Sequence, residues 1–171
     1  GAPLMNEMSR SQTTRAVDAM DCAAGLAPDG AIFAARTRRA EFVDGAEACR
    51  VAVLPPADDL GLSPELRRAI ARRAALSSGN ARLIAGYPMP DDPALAALAT
   101  GQAPATVRDA ALARHTDLIA RRPGQSTAQD LTRLQQAGLS VPQIIAVSEL
   151  LAYVCFEIRV AHGLALLEAA S

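Results

Sequence analysis

Lysine is absent: all seventeen basic residues are arginine. That removes Schiff-base catalysis, attachment of pyridoxal phosphate and the phosphate-loop lysine in one step. Aromatics make up only 3% of the chain, and β-branched runs are scarce, so strands are disfavoured. The three cysteines, Cys22, Cys49 and Cys155, lie far apart and are odd in number. A disulfide framework is therefore not expected, and a reducing, cytoplasmic compartment is. No leader pattern opens the chain, and no stretch reaches the roughly 18 uninterrupted apolar residues of a membrane span. His115 and His162 are the only histidines, and neither has a His or Cys three or four residues on. No metal site is expected from them. There is no Gly-x-Ser-x-Gly elbow and no glycine-rich turn after a strand, so no cofactor is called for. The net charge is −1, with acidic and basic residues interspersed, which lacks the basic excess that nucleic acid demands.

What fills the chain instead is alanine within a half-apolar composition. Alanine is the best helix former, and small side chains let helices pack closely. The expected class is all-α, and 171 residues suffice for a sizeable core. Residues 1–4 are set aside as a frayed end. Helices are expected over residues 12–24, 29–39 and 41–54, the last stopped by Pro55 and Pro56. The loop at 55–62 is the best internal boundary. It divides an N-terminal helical extension, 1–55, from a helical core, 56–171. Ser63, Pro64 and Glu65 then sign a helix start. Short helices follow over 80–87 and from Asp92 to near Gly101. A longer one over 104–122 has Val107, Ala110, Ala111, Leu118 and Ile119 facing inward. Ser126 with Gln129 and Ser140 with Gln143 form two capping boxes. The second opens the longest helix, 141–169, with Ile144, Val147, Leu151, Val154, Ile158, Ala161 and Ala165 as its inward stripe.

Four arginines at helical spacing, Arg67, Arg68, Arg72 and Arg73, read as a solvated helix face, or failing that a local basic patch. On the last helix Cys155 and His162 share a face. They are two turns, or about 10 Å, apart, too far for direct proton transfer. Glu149, Glu157 and Arg159 interrupt that helix either as flank or interface ion pairs or as a pocket acid and an anion clamp.

The run Leu118-Ile119-Ala120-Arg121-Arg122-Pro123, then TAQDLTRLQQAG over 127–138, then Leu139-Ser140 and IIAVSELLAYVCFEIRVAHGL resembles the closing half of the alkylhydroperoxidase D-like family. That superfamily includes carboxymuconolactone decarboxylase. Arg159 matches the arginine near the end of its long helix, and LSPELRRAIARRAALSSGN over 62–80 resembles an upstream family helix. The resemblance implies packed antiparallel helices assembled as a homo-oligomer. Active peroxidase members carry Cys-x-x-Cys-x-x-x-His with a glutamate about a helix upstream. There one thiolate attacks the peroxide, the second resolves the sulfenic acid, and the acid and histidine manage protons. In this chain the two cysteine positions fall nearest Asn80 and Leu83, the histidine nearest Tyr87, and the glutamate nearest Arg68. No cysteine lies between Cys49 and Cys155, so dithiol peroxidase chemistry has no thiols to run on.

Three functions compete on this reading. In the first, the same pocket, lined by Arg68, Asn80, Leu83 and Tyr87, binds or transforms a small molecule, with Arg72 holding a carboxylate. In the second, the chain is a non-catalytic oligomerising subunit that partners an active paralogue. The third is a one-cysteine peroxidase through Cys155.

Overall fold

The computed structural model describes residues 15–171, all of whose regular structure is helical. Nine α-helices occur among the described residues: α1 Ala19–Ala24, α2 Ala31–Thr37, α3 Ala40–Val53, α4 Pro64–Leu76, α5 Ala81–Ala85, α6 Ala96–Ala99, α7 Val107–Arg121, α8 Ala128–Gln136 and α9 Val141–Ala170. None is long and apolar enough to cross a membrane.

Local signals set most of these boundaries. Ser63 caps α4 by accepting from the Leu66 amide, with Pro64 at the first position. Ser140 and Gln143 close the capping box that opens α9. The box at α8 is made by Thr127 and Asp130, one residue later than Ser126 and Gln129 suggest. Helix α1 starts later than its alanine spacing implies, because Asp18 and Asp21 form a capping box that fixes the first turn there. Residues 1–4 and 12–14 lie outside the described residues.

Helix α4 is the hub. Ala69, Ile70, Ala71, Ala74 and Ala75 are fully buried, and α5, α6, α7 and α9 pack around it. The other long axis, α9, is flanked by α1, α2, α3, α7 and α8 as well as α4. Ile144, Val147, Leu151, Val154 and Ala161 of the expected stripe are buried. Met20, Ala23, Leu26, Val53 and Leu54 join the same core as α4 and α9. Residues 15–55 thus share one core with the remainder, and the 55–62 boundary is a loop within it.

Two sequence expectations are corrected here. Helix α7 buries Leu112, Ala113, His115, Thr116 and Leu118, whereas Val107 is 75% exposed and Ala110 also faces solvent. Thr106 caps α7, which leaves Val107 at its exposed first position. The basic stretch of α4 is not a solvated face either. Arg67 is buried and donates to three main-chain carbonyls, of Leu62 (2.8 Å), Val53 (3.1 Å) and Asp59 (2.8 Å), clamping the loop between α3 and α4. Arg73, also buried, makes a two-pronged pair with Asp117 of α7 (2.8 and 2.9 Å) and donates to the Gln102 carbonyl.

At the N-terminal side, Asp21 is buried and ion-paired to Arg15 (2.5 Å) and Arg36 (2.6 Å). Burial alone pushes its carboxyl up. The Arg15 bonds, the Asp18 amide and Arg36 outweigh that and hold it at about 2. Because the folded-state value is depressed, the stabilisation is complete above the unfolded value near 3.8 and is lost as pH falls toward 2. Urea unfolding is expected to show a loss of up to about 2 kcal/mol from this group between pH 5 and pH 2. Asp21→Asn lowers stability at pH 7 and flattens that acid limb; an unchanged limb in the variant would contradict the assignment.

Candidate functional site: a buried acid beneath an apolar groove

Glu157 lies on the inward stripe of α9 between Val154 and Ala161, and almost none of it meets solvent. Position i, i+4 places Tyr153 above it, and the Tyr153 hydroxyl donates to Glu157 Oε2 at 3.1 Å. Tyr87, immediately after α5 and fully buried, donates its hydroxyl to Oε1 at 2.8 Å. Arg50, in the last turn of α3, reaches Oε2 with Nη1 at 3.4 Å and the Gly86 carbonyl with Nη2 at 3.0 Å. Its guanidinium stacks over the Tyr87 ring, 4.9 Å from the centroid. Three groups from three parts of the chain thus converge on one carboxyl.

Burial pushes the Glu157 carboxyl above the usual glutamate range, opposed by the Tyr87 bond, by Arg50 and by the Tyr153 bond. The phenols of Tyr87 and Tyr153 are raised by burial and by the adjacent Glu157. Each tyrosine is therefore a firm hydrogen-bond donor at neutral pH.

Tyr153 also belongs to the wall of a groove of about 550 Å³ between α3 and α9. Phe42, Ala46, Cys49 and Val53 form one wall, and Ala152 and Phe156 the other. Glu41 and Glu149 are its charged members. The groove is apolar apart from these acids and the thiol, and Glu157 lies beneath it through Tyr153.

The residues singled out from the sequence are only partly brought together. Tyr87 and Arg72 meet: Arg72 Nη1 donates to the Tyr87 carbonyl at 2.8 Å and the Ile84 carbonyl at 3.4 Å, while its buried Nε has no partner. Asn80 caps α5 through the Arg82 and Leu83 amides and donates to the Ala23 carbonyl at 2.8 Å, tying α1 to α5. Gly25 ends α1 with φ +66°, and a Cβ there would sit 2.6 Å from the Arg82 guanidinium. Leu83 is a core residue. Arg68 stands half-buried on the flank of α4. None of these five lines the 550 Å³ groove. Sequence reasoning placed Glu157 as a possible pocket acid but missed Arg50 and Tyr153, whose link to it is purely tertiary or a single i, i+4 step.

All three cysteines are free. Cys155 is half-buried, and burial raises its thiol, with Arg159 only partly opposing; a nucleophilic thiolate needs the reverse. A peroxide-consumption assay with a dithiol reductant is expected to show no turnover in the wild type or in Cys155→Ser. Turnover that disappears in Cys155→Ser would establish a one-cysteine enzyme. No group of three or more His, Cys, Asp or Glu among the described residues is arranged to hold a metal ion.

No family model matches the chain, and no curated protein or solved structure is significantly similar to it.

Proposed function

We propose that this chain is a small-molecule-binding helical protein, built on the alkylhydroperoxidase D-like plan that its second half resembles but without that family's dithiol chemistry. Its ligand is a largely apolar molecule held between α3 and α9. The observation that carries this reading is the groove itself: about 550 Å³, within the range of about 300–1,000 Å³ typical of ligand sites, with a tyrosine–glutamate pair at its base. Glu41 and Glu149 line it with no basic residue among its lining, which favours a neutral or cationic head group over the carboxylate expected from the sequence. Arg72, the expected carboxylate clamp, commits Nη1 to main-chain carbonyls. Glu41 and Glu149 present the polar contacts, and Tyr153 in the wall ties the groove to Glu157.

Calorimetric titration tests the reading with decylamine and decanoate as probes. Saturable one-to-one binding of decylamine is expected, at least tenfold tighter than decanoate and lost in Ala46→Trp, which fills the groove. Equal binding to Ala46→Trp, or none to the wild type, would refute it.

A second reading, an oligomerising subunit pairing with another copy or with a paralogue, is favoured by one feature. Val141, Ile145 and Phe156 are each about half exposed along one stripe of α9, an unusual placement for large apolar side chains in a row. Sedimentation of the wild type against Ile145→Glu separates the two, since Ile145 does not line the groove.

A further inference from the structure

On a neighbouring face of α9 is a second, partly open cavity of about 330 Å³, bordered by α7, α8 and α9. It contains polar side chains of a different kind: His115 from α7, Ser126 and Thr127 from the approach to α8, and Ser148 from α9. Ile119, Leu131 and Leu151 supply its apolar surface. His115 is only 4% exposed, and its Nδ1 is sealed from solvent with no hydrogen-bond partner. Neither ring nitrogen bonds to a described residue, which is unusual for a buried imidazole. A histidine kept only for packing carries that cost without return, since an apolar residue of similar volume avoids it.

We propose that this cavity is a ligand site for an uncharged molecule bearing a hydroxyl or carbonyl on a compact apolar body, with His115 and Ser148 as its polar contacts. The charge argument is direct. No ionised side chain lines the cavity, so a charged group seated there finds no counter-charge to offset the hydration it gives up. Asp130, the acid that acts on His115, is committed: it accepts from the Thr127 amide at 2.7 Å and lies 3.8 Å from both Arg114 and Arg133. His115 itself is neutral at physiological pH, because burial holds its imidazole below the usual value against the pull of Asp130. The neutral imidazole carries one N–H, and with that proton on the nitrogen that meets the occupant His115 is a donor toward it. Ser148 spends its own proton on the Ile144 carbonyl at 2.8 Å, leaving its oxygen to accept. A hydroxyl answers both, accepting from His115 and donating to Ser148; a carbonyl answers the first. At 330 Å³ the space is near the low end for ligand pockets, of about 300 Å³ upward, so the molecule is small.

The site stands apart from the α3–α9 groove, with which it shares only Ala152. The chain has just two histidines, and His162 is exposed on α9 well away from the cavity. The imidazole region of a nitrogen-15 NMR spectrum therefore holds a reporter and an internal control. Titration with 4-methylphenol is expected to shift the His115 resonances saturably and leave His162 in place. Benzoate and benzylamine should bind at least tenfold more weakly. Ser148→Phe, which fills the cavity from α9, should abolish the shift, as should Leu131→Trp at its half-exposed lip, which guards against misfolding of the first variant. Ala46→Trp, in the other groove, should leave it intact. Equal shifts at both histidines, failure to saturate, binding of benzoate as tight as 4-methylphenol, or binding retained in both cavity-filling variants would overturn the proposal.

Discussion

Arg67→Met is expected to lower the free energy of unfolding by about 3–5 kcal/mol, the largest effect of any single arginine substitution among the described residues. The arginine reaches three carbonyls that belong to three different residues around the α3–α4 loop. Methionine replaces the volume of the stem and none of the bonds. The carbonyls of Leu62 and Val53 are then left buried without a donor, and an orphaned acceptor costs more than its hydrogen bond contributed. Arg67→Lys should recover only a minority of the loss, because one ammonium cannot address three acceptors held by a planar fork. Chemical denaturation of the three proteins checks this. A loss below about 1 kcal/mol in Arg67→Met would mean that the loop carbonyls turn to solvent instead.

Glu157→Ala is the second large effect, at about 3–5 kcal/mol, because it removes the acceptor for two buried phenols and leaves a half-buried guanidinium without its carboxylate. Glu157→Gln should cost less, about 1–2 kcal/mol, since the amide oxygen still accepts from one tyrosine while its NH2 faces the other donor. Pairing each with Tyr87→Phe in a double-mutant cycle isolates the 2.8 Å bond. Strict additivity of the two losses would contradict the cluster, since groups in contact are expected to couple. The pH dependence of Glu157 runs opposite to that of Asp21. Its folded-state value is raised, so its contribution is fully present below the ordinary glutamate value and declines as pH rises through the folded one.

The class of fold was legible because it rests on local signals: alanine, capping residues and the i, i+3, i+4 stripe of α9. The sequence leaves Glu157 open between a flank ion pair and a pocket acid, and the packing of α9 buries it between Val154 and Ala161. Its partners were not legible. Tyr87 lies 70 residues away and Arg50 107 away in sequence, and no periodicity links them. The arginines of α4 were misjudged for the same reason. A guanidinium on a helix is solvated or buried according to which loop crosses it, and the Asp59 and Val53 carbonyls reach Arg67 only once the α3–α4 loop folds back. On α7, the polar His115 and Thr116 occupy the buried face, which hides the true stripe and makes the Val107 face look inward. The groove required α3 and α9, about a hundred residues apart, to lie side by side, and nothing in either helix alone announces that.

The most direct test of the groove as a ligand site is the alkylation of Cys49. Its thiol lies in the α3 wall of the groove, whereas Cys22 is exposed on α1, outside that lining. Rates of N-ethylmaleimide addition to each, followed by peptide mass spectrometry, give a site-resolved readout with a built-in control. If the groove holds an apolar ligand, decylamine slows modification of Cys49 saturably, with the same midpoint as the calorimetric titration, and leaves Cys22 unchanged. Equal rates at Cys49 with and without the amine, under conditions where calorimetry reports binding, would place the ligand elsewhere and contradict the account.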